Sequence, residues 1–411
     1  MGQSTFPVPS SGSSTSTILP VNASGVILDG SLTTASTYTT TVNGNGGIAY
    51  LTATNNAATI TIGGTPYLVP INTVVASKSF GASTSVNIIS SSFSQTTPSS
   101  FTASTLSSSS QWVSVAYGLV YSVPTFVAVQ NGGVTTTGAY STNGTSWTSS
   151  TMPNSVGYYG VTYGLVSSTP IFVAVSTSYG GAYSTNGITW GATNMANGST
   201  YVSATYGNGY FVTVASGGTT NVNYSTNGIS WSLGTLPSSS DWRSVTYGNG
   251  YFVAVCAGPS TAGAYSTNGT TWTASTMPSS SNWYGVAYGL VGSTPTFVSV
   301  TGSNTTAGAY SINGTTWTAS TMPNAAVWYG VTYGNGYFVA VANNNTAGAY
   351  SANGITWTAN TMPSVSQWRS VTYGNGYFAA VANNTSAGAY YSQSAALPVN
   401  FGIYNGPTTI N

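Results

Sequence analysis

One passage is written seven times along this chain, at intervals of 40 to 46 residues. The fullest copy runs from Trp242 to Trp272, WRSVTYGNGYFVAVCAGPSTAGAYSTNGTTW. The copies open at Trp112, Tyr158, Tyr201, Trp242, Trp283, Trp328 and Trp368. A unit of that size cannot bury its apolar face alone, so the period means a stacked or radial array.

Each copy contains four strand-like runs. The first is WRSVTYG in Trp242–Gly248. Strict alternation puts Val245 and Tyr247 on one face and Trp242, Ser244 and Thr246 on the other. Small residues recur at the last two positions, which suits inner strands crowding towards an axis. The second run, FVAV, is too apolar for a strand with one wet face and reads as buried on both sides. GAYS is the third run and TTWT the fourth. Between them stands Asn-Gly, in six copies: Asn143, Asn186, Asn227, Asn268, Asn313 and Asn353 each precede a glycine. Asn-Gly is the strongest two-residue hairpin signal, because both residues tolerate positive φ. Four short antiparallel strands per repeat of this length describe a blade of a β-propeller. The fold class expected is all-β, with a seven-bladed propeller over 96–395.

The seventh copy stops short. After Tyr390 it reads YSQSAALPV, with no Asn-Gly turn and no fourth-run tryptophan. Upstream, residues 99–106 read SSFTASTL, which matches TTWTASTM at 270–277. In every complete copy the fourth-run tryptophan precedes the next opening aromatic by 11 residues, and Phe101 precedes Trp112 by 11 as well. Phe101 and its neighbours are therefore expected to close the ring as the outer strand of the last blade. Such closure removes two open sheet edges.

Before the repeats, residues 1–19 are a Ser/Thr/Pro-rich arm without periodicity. Residues 20–95 carry short runs rich in Val, Ile, Thr and Tyr, expected to form a small β-sandwich-like domain that anchors or assembles the protein. Residues 396–411 read as a C-terminal tail.

Charge is nearly absent. Lys78, Arg243, Arg369, Asp29 and Asp241 are the five ionised side chains among 411 residues, with no Glu and no His. Nucleic-acid binding rests on many Lys and Arg against phosphates, so no nucleic-acid partner is expected, and any binding should be nearly independent of salt. Low charge favours association, which points to an oligomer or larger assembly. Cys256 stands alone and follows FVAV, so it reads as a small core residue. No basic and apolar leader opens the chain, and no apolar stretch is long enough for a membrane helix. The expected location is a virion, extracellular after lysis.

The segments YSTNGTSW, YSTNGITW, YSTNGISW, YSTNGTTW, YSINGTTW and YSANGITW resemble the Asp-box of BNR-repeat, sialidase-like propellers. The resemblance implies a hairpin between the third and fourth strands, locked by Ser266, Asn268, Gly269 and Trp272 and their equivalents. Asn replaces Asp throughout, and the box is one residue shorter. The chain also has the compositional texture of bacteriophage fibre and decoration proteins.

Catalysis is not expected. Sialidase-type activity, as the resemblance implies it, needs an arginine cluster, a Tyr–Glu pair and an acid–base Asp. Here Arg243 and Arg369 stand three copies apart and Glu is absent. Glycoside hydrolysis needs two carboxylates across one bond, and general acid–base work needs a group titrating near working pH. No metal or cofactor site is expected, because no His, Cys or carboxylate cluster exists.

The function expected is that of a virion structural protein whose propeller contacts neutral host-surface glycan, with other virion proteins as partners of the N-terminal region. The alternatives are a secreted or surface-displayed bacterial lectin or adhesin, and a passive decoration without ligand. Candidate ligand contacts are the opening aromatics Trp112, Tyr158, Tyr201, Trp242, Trp283, Trp328 and Trp368, for which packing between blades is the alternative role. Beside them stand Arg243, Tyr284, Tyr329 and Arg369, which follow four of those aromatics at a position where the copies differ.

Overall fold

The computed structural model describes residues 97–132, 136–177 and 180–392, together with six short strands before residue 91. The arm expected at 1–19 and the tail expected at 396–411 lie outside the described residues. The chain divides into two compact units, Met1–Gln95 with Ala396–Asn411, and Thr96–Ala395. In the first, Thr37–Val42, Thr84–Ser90, Ala58–Ile62 and Thr65–Val69 form one antiparallel sheet in that order. A separate pair joins Gly47–Ala49 to Lys78–Phe80.

The second unit is all-β among the described residues, strands joined by turns and bends with no helix. Each copy builds a four-stranded antiparallel module. In the fourth copy, Val245 pairs with Ala254, Ala254 with Ala264, and Ala264 with Ala274. The second strand is sealed on both faces: Phe252, Val253, Ala254 and Val255 are fully buried. Between one copy's fourth run and the next copy's first run the backbone is continuous strand in three places, whereas bends at 153–156 and 196–198 separate the runs in two others. Ser232–Gly248, Thr318–Gly334 and Thr358–Gly374 are continuous 17-residue strands that end one module and begin the next. A buried Leu or Met pins each such segment, as Leu236, Met277, Met322 and Met362 do.

Strict alternation fails at the start of every first strand. The ladder shifts register between Trp242 and Ser244, and at the equivalent place in the other six copies. A bulge of this kind leaves one residue unpaired and turns the side chains before it. Trp242 thus joins Val245 in the core instead of sharing a face with Ser244. The core lies between modules: Val212 and Val214 of the third copy pack with Trp242, Phe252 and Trp272 of the fourth.

The Asn-Gly turns differ from expectation too. At Asn268-Gly269 the glycine alone has positive φ, +74°. The asparagine works through its side chain: Asn268 Oδ1 accepts the N–H groups of Thr270 and Thr271, at 3.0 and 2.9 Å. Ser266 Oγ accepts from Gly269 N–H at 2.8 Å and donates to Asn268 Oδ1. The same set recurs at Ser141, Ser184, Ser225, Ser311 and Ser351. The two-residue turn with both φ positive sits elsewhere, between first and second strands, as Asn249 (φ 47°) and Gly250 (φ 81°).

The two ends of the array meet. Thr102–Ser110 pairs antiparallel with Thr385–Ser392, with Ala103 opposite Ala389. Phe101 is buried in the last copy's core and lies 6.1 Å from the Tyr391 ring. Ser100 bridges Thr361, the place that Thr356 takes against Thr321 one module earlier. The last first strand also touches the first one, where Ser370 Oγ accepts from Val115 N–H at 3.2 Å.

Candidate functional site: the axial cavity

The bulge decides what faces the axis. It sits at the residue after each opening aromatic, and those residues are Val113, Tyr159, Val202, Arg243, Tyr284, Tyr329 and Arg369. All seven line one cavity of about 150 Å³. Below them the wall is made of Ser114, Ser203, Ser244 and Ser370 with Gly285 and Gly330. Small residues are required there. A Cβ on Gly285 would fall 2.7 Å from Tyr329 O, and one on Gly330 would fall 3.0 Å from Arg369 O.

The serines tie neighbouring first strands together. Ser114 Oγ accepts from Val161 N–H, Ser203 Oγ from Val245 N–H and Ser244 Oγ from Val286 N–H, all at 3.1–3.2 Å. Each hydroxyl uses a lone pair in that contact and keeps its proton for donation.

Half of the cavity mouth is aromatic and cationic. The Arg243 guanidinium lies 5.3 Å from the centre of the Tyr284 ring. Tyr284 and Tyr329 rings are 4.7 Å apart and tilted by 56°. The Arg369 guanidinium stands 4.1 Å over Tyr329. Cation–ring contacts of this kind contribute about 0.5–2 kcal/mol each. Burial pushes the Tyr284 phenol above its ordinary range, with Tyr329 adding and Arg243 opposing. A gap in the following loop makes room for this ring, since a Cβ on Gly302 would fall 2.0 Å from Tyr284 Cδ2.

The two arginines are not equivalent. Arg243 donates through Nε and Nη2 to Asp241 Oδ2, at 3.1 and 2.8 Å. The other oxygen of Asp241 accepts from Gly217 N–H of the preceding copy, at 2.9 Å. Arg369 has no acidic partner among the described residues. Its Nη2 stands 3.5 Å from Gln367 Oε1, an atom that also accepts from Asn383 at 3.2 Å. Arg369 Nε is buried and makes no hydrogen bond.

The opening aromatics are not at the mouth. Trp112, Tyr201, Trp242, Trp283, Trp328 and Trp368 are 0% exposed and Tyr158 is 1% exposed. No ring face is left for a ligand, because the bulge turns position one into the core and position two to the axis. The Asn-Gly asparagines cap turns at the other edge of each module, and Phe101 fills the core. Asn360 was not foreseen: its Nδ2 donates to Pro98 O at 2.8 Å and holds the incoming closing segment.

No described protein family and no curated protein matches the sequence. Solved structures do resemble it. Virginiamycin B lyase from Staphylococcus aureus aligns with TM-score 0.59 at 12% identity, over 71% of this chain and 98% of that one. YCF48 from Cyanidioschyzon merolae aligns with TM-score 0.54 at 13% identity, over 72% and 99%. The WD40 β-propeller domain of Doa1 aligns with TM-score 0.53 at 14% identity, over 72% and 98%. The repeat unit of this chain has a β-propeller fold. Identities this low carry the fold and nothing of the lyase's chemistry or the other proteins' partners. Among the described residues no helix is long and apolar enough to cross a membrane, which leaves membrane-crossing strands unaddressed.

Proposed function

We propose that this chain is a non-catalytic surface protein of a virus particle, built on a closed propeller of seven four-stranded blades, and that it contacts host-surface glycan at the axial cavity. The observation that carries the reading is the placing of variation. The most regular blade positions are core and turn residues, whereas the residue after each opening aromatic differs from copy to copy and faces the cavity; the loops after the second run differ as well and lie outside its lining. Five of the seven side chains there are tyrosine or arginine and two are valine, with serine hydroxyls at the next position in four copies; rings and polar groups of this kind suit sugar C–H faces and hydroxyls.

A binding role fits the composition better than chemistry does. With no His or Glu in the chain, Asp241 is the carboxylate next to the cavity, and it is engaged by Arg243 and Gly217 N–H. Three N–H donors already engage that carboxylate, and Asp241 is not among the residues that line the cavity.

Two measurements test the reading. Purified particles from lysates should contain the chain in stoichiometric amounts by mass spectrometry. A glycan array should give binding that is lost on Tyr284→Ala combined with Tyr329→Ala. Recovery of the chain only as free protein, with an empty array, would remove both parts.

A further inference from the structure

The cavity has a charge as well as a shape. Its seven-residue rim holds two guanidiniums and no carboxylate. Asp241 offsets Arg243 with a bidentate contact to one oxygen. Among the described residues no carboxylate offsets Arg369, which is held instead by a ring at 4.1 Å and a marginal contact to an amide oxygen. Its Nε–H is buried without an acceptor among the described residues, which costs free energy. The Tyr329 ring lies against the guanidinium and limits where the fork can swing.

The wall below adds donors of the same kind. Ser114, Ser203, Ser244 and Ser370 each accept a backbone N–H through Oγ. Their hydroxyl protons are left for donation to another acceptor. A cavity of about 150 Å³ with one uncompensated cation and a ring of hydroxyl donors selects a small acceptor-rich group. The geometry points to an oxyanion site: Arg369, stacked on Tyr329, takes a carboxylate or phosphate group at the end of a sugar, while the rest of the sugar lies at the mouth against Tyr284. This rests on the glycan reading above, and changes it in one respect. The end group is anionic where the composition led us to expect a neutral ligand, and binding at this site falls with salt.

Isothermal titration of the full chain with four probes tests it: glucuronate, glucose 6-phosphate, glucose and acetate. Glucuronate or glucose 6-phosphate should bind, glucose should not, and the tighter of the first two names the source of the charge. Arg369→Gln should weaken that binding by about tenfold or more, and Arg369→Lys, which keeps the charge but loses the fork, by an intermediate factor. In the unaltered protein, raising salt from low to moderate ionic strength should weaken binding several-fold, a readout that no folding defect can mimic. If acetate binds as tightly as the sugar acids, the oxyanion site stands and its glycan role falls. If glucose binds as well as glucuronate and Arg369→Gln changes neither, the glycan reading stands and the oxyanion site is overturned. Failure of every probe up to about 10 mM, a free energy under 3 kcal/mol, overturns it as well.

Discussion

Gly374 and Tyr117 touch, although they belong to the last and the first copy of the repeat. A Cβ on Gly374 would fall 2.0 Å from Cγ of the Tyr117 ring. Gly207 stands in the same relation to Tyr247, and Gly248 to Tyr288, each at 2.0 Å. The Tyr-Gly pair near the end of every first strand is thus half of a contact completed by the next copy. Gly374→Ala forces a ring out of its rotamer, and should cost about 1–3 kcal/mol or more in denaturant unfolding. Adding Tyr117→Ala should recover part of that loss, so that the two changes are strongly non-additive. Simple additivity would mean that the contact is not made.

The turn asparagines should tolerate Asp and reject Ala. Asn268→Ala removes an oxygen that accepts two backbone N–H groups, and should cost about 1–2 kcal/mol. Asn268→Asp keeps that oxygen and should stay within about 0.5 kcal/mol. Thermal melts of the two variants side by side decide the matter.

Two copies carry poor residues in the other turn. Tyr121 and Ser122 sit at φ 47° and 75°, where four other copies have Asn-Gly. Left-handed backbone at a non-glycine residue costs about 1 kcal/mol or more. Replacing the pair by Asn-Gly should raise the unfolding midpoint, with a gain of about 1–2 kcal/mol. An unchanged midpoint would show that the strain is absent.

Stability should be flat across neutral pH and fall in alkali. No His or Glu titrates, and the chain has two Asp. Burial pushes the phenols of Tyr117, Tyr158, Tyr201 and Tyr333 up from 10 to about 12. The unfolded chain therefore loses these protons first. Their contribution is complete below pH 10 and is lost as pH rises towards 12. Burial raises the Cys256 thiol in the same sense, so native protein should resist thiol reagents at pH 8 and react after unfolding. Equilibrium unfolding at a series of pH values, with thiol labelling in parallel, checks both.

Most of the scaffold is legible in the sequence because it repeats. Seven aligned copies separate a run buried on both faces, Phe252–Val255, from a turn at Asn268-Gly269. The 11-residue spacing from Phe101 to Trp112 marks the strand at Thr102–Ser110, whose pairing with Thr385–Ser392 needs contacts across the whole array. Two features escape pattern reading. Alternation cannot reveal a bulge, so Trp242 was placed with Ser244, although it packs with Val245. Asn-Gly cannot reveal which of its two hairpin geometries is used, because the Asn268 side chain competes with its own backbone. The cavity was visible only in part. Arg243 and Arg369 look remote at three copies' separation, yet a radial array brings the same position of every copy to one axis. Their link through Tyr284 and Tyr329 follows from that geometry and from no local motif.

The pairing of Thr102 with Tyr390 has a mechanical consequence. The chain enters the repeat unit at one end of this strand pair and leaves it at the same end. Tension applied through both connecting segments would pull the two strands apart from that end, one residue pair after another. This is the weak direction of a β-ladder, since its bonds are loaded in succession and not together. The join that completes the last module is therefore also the seam at which a stretched molecule would begin to open.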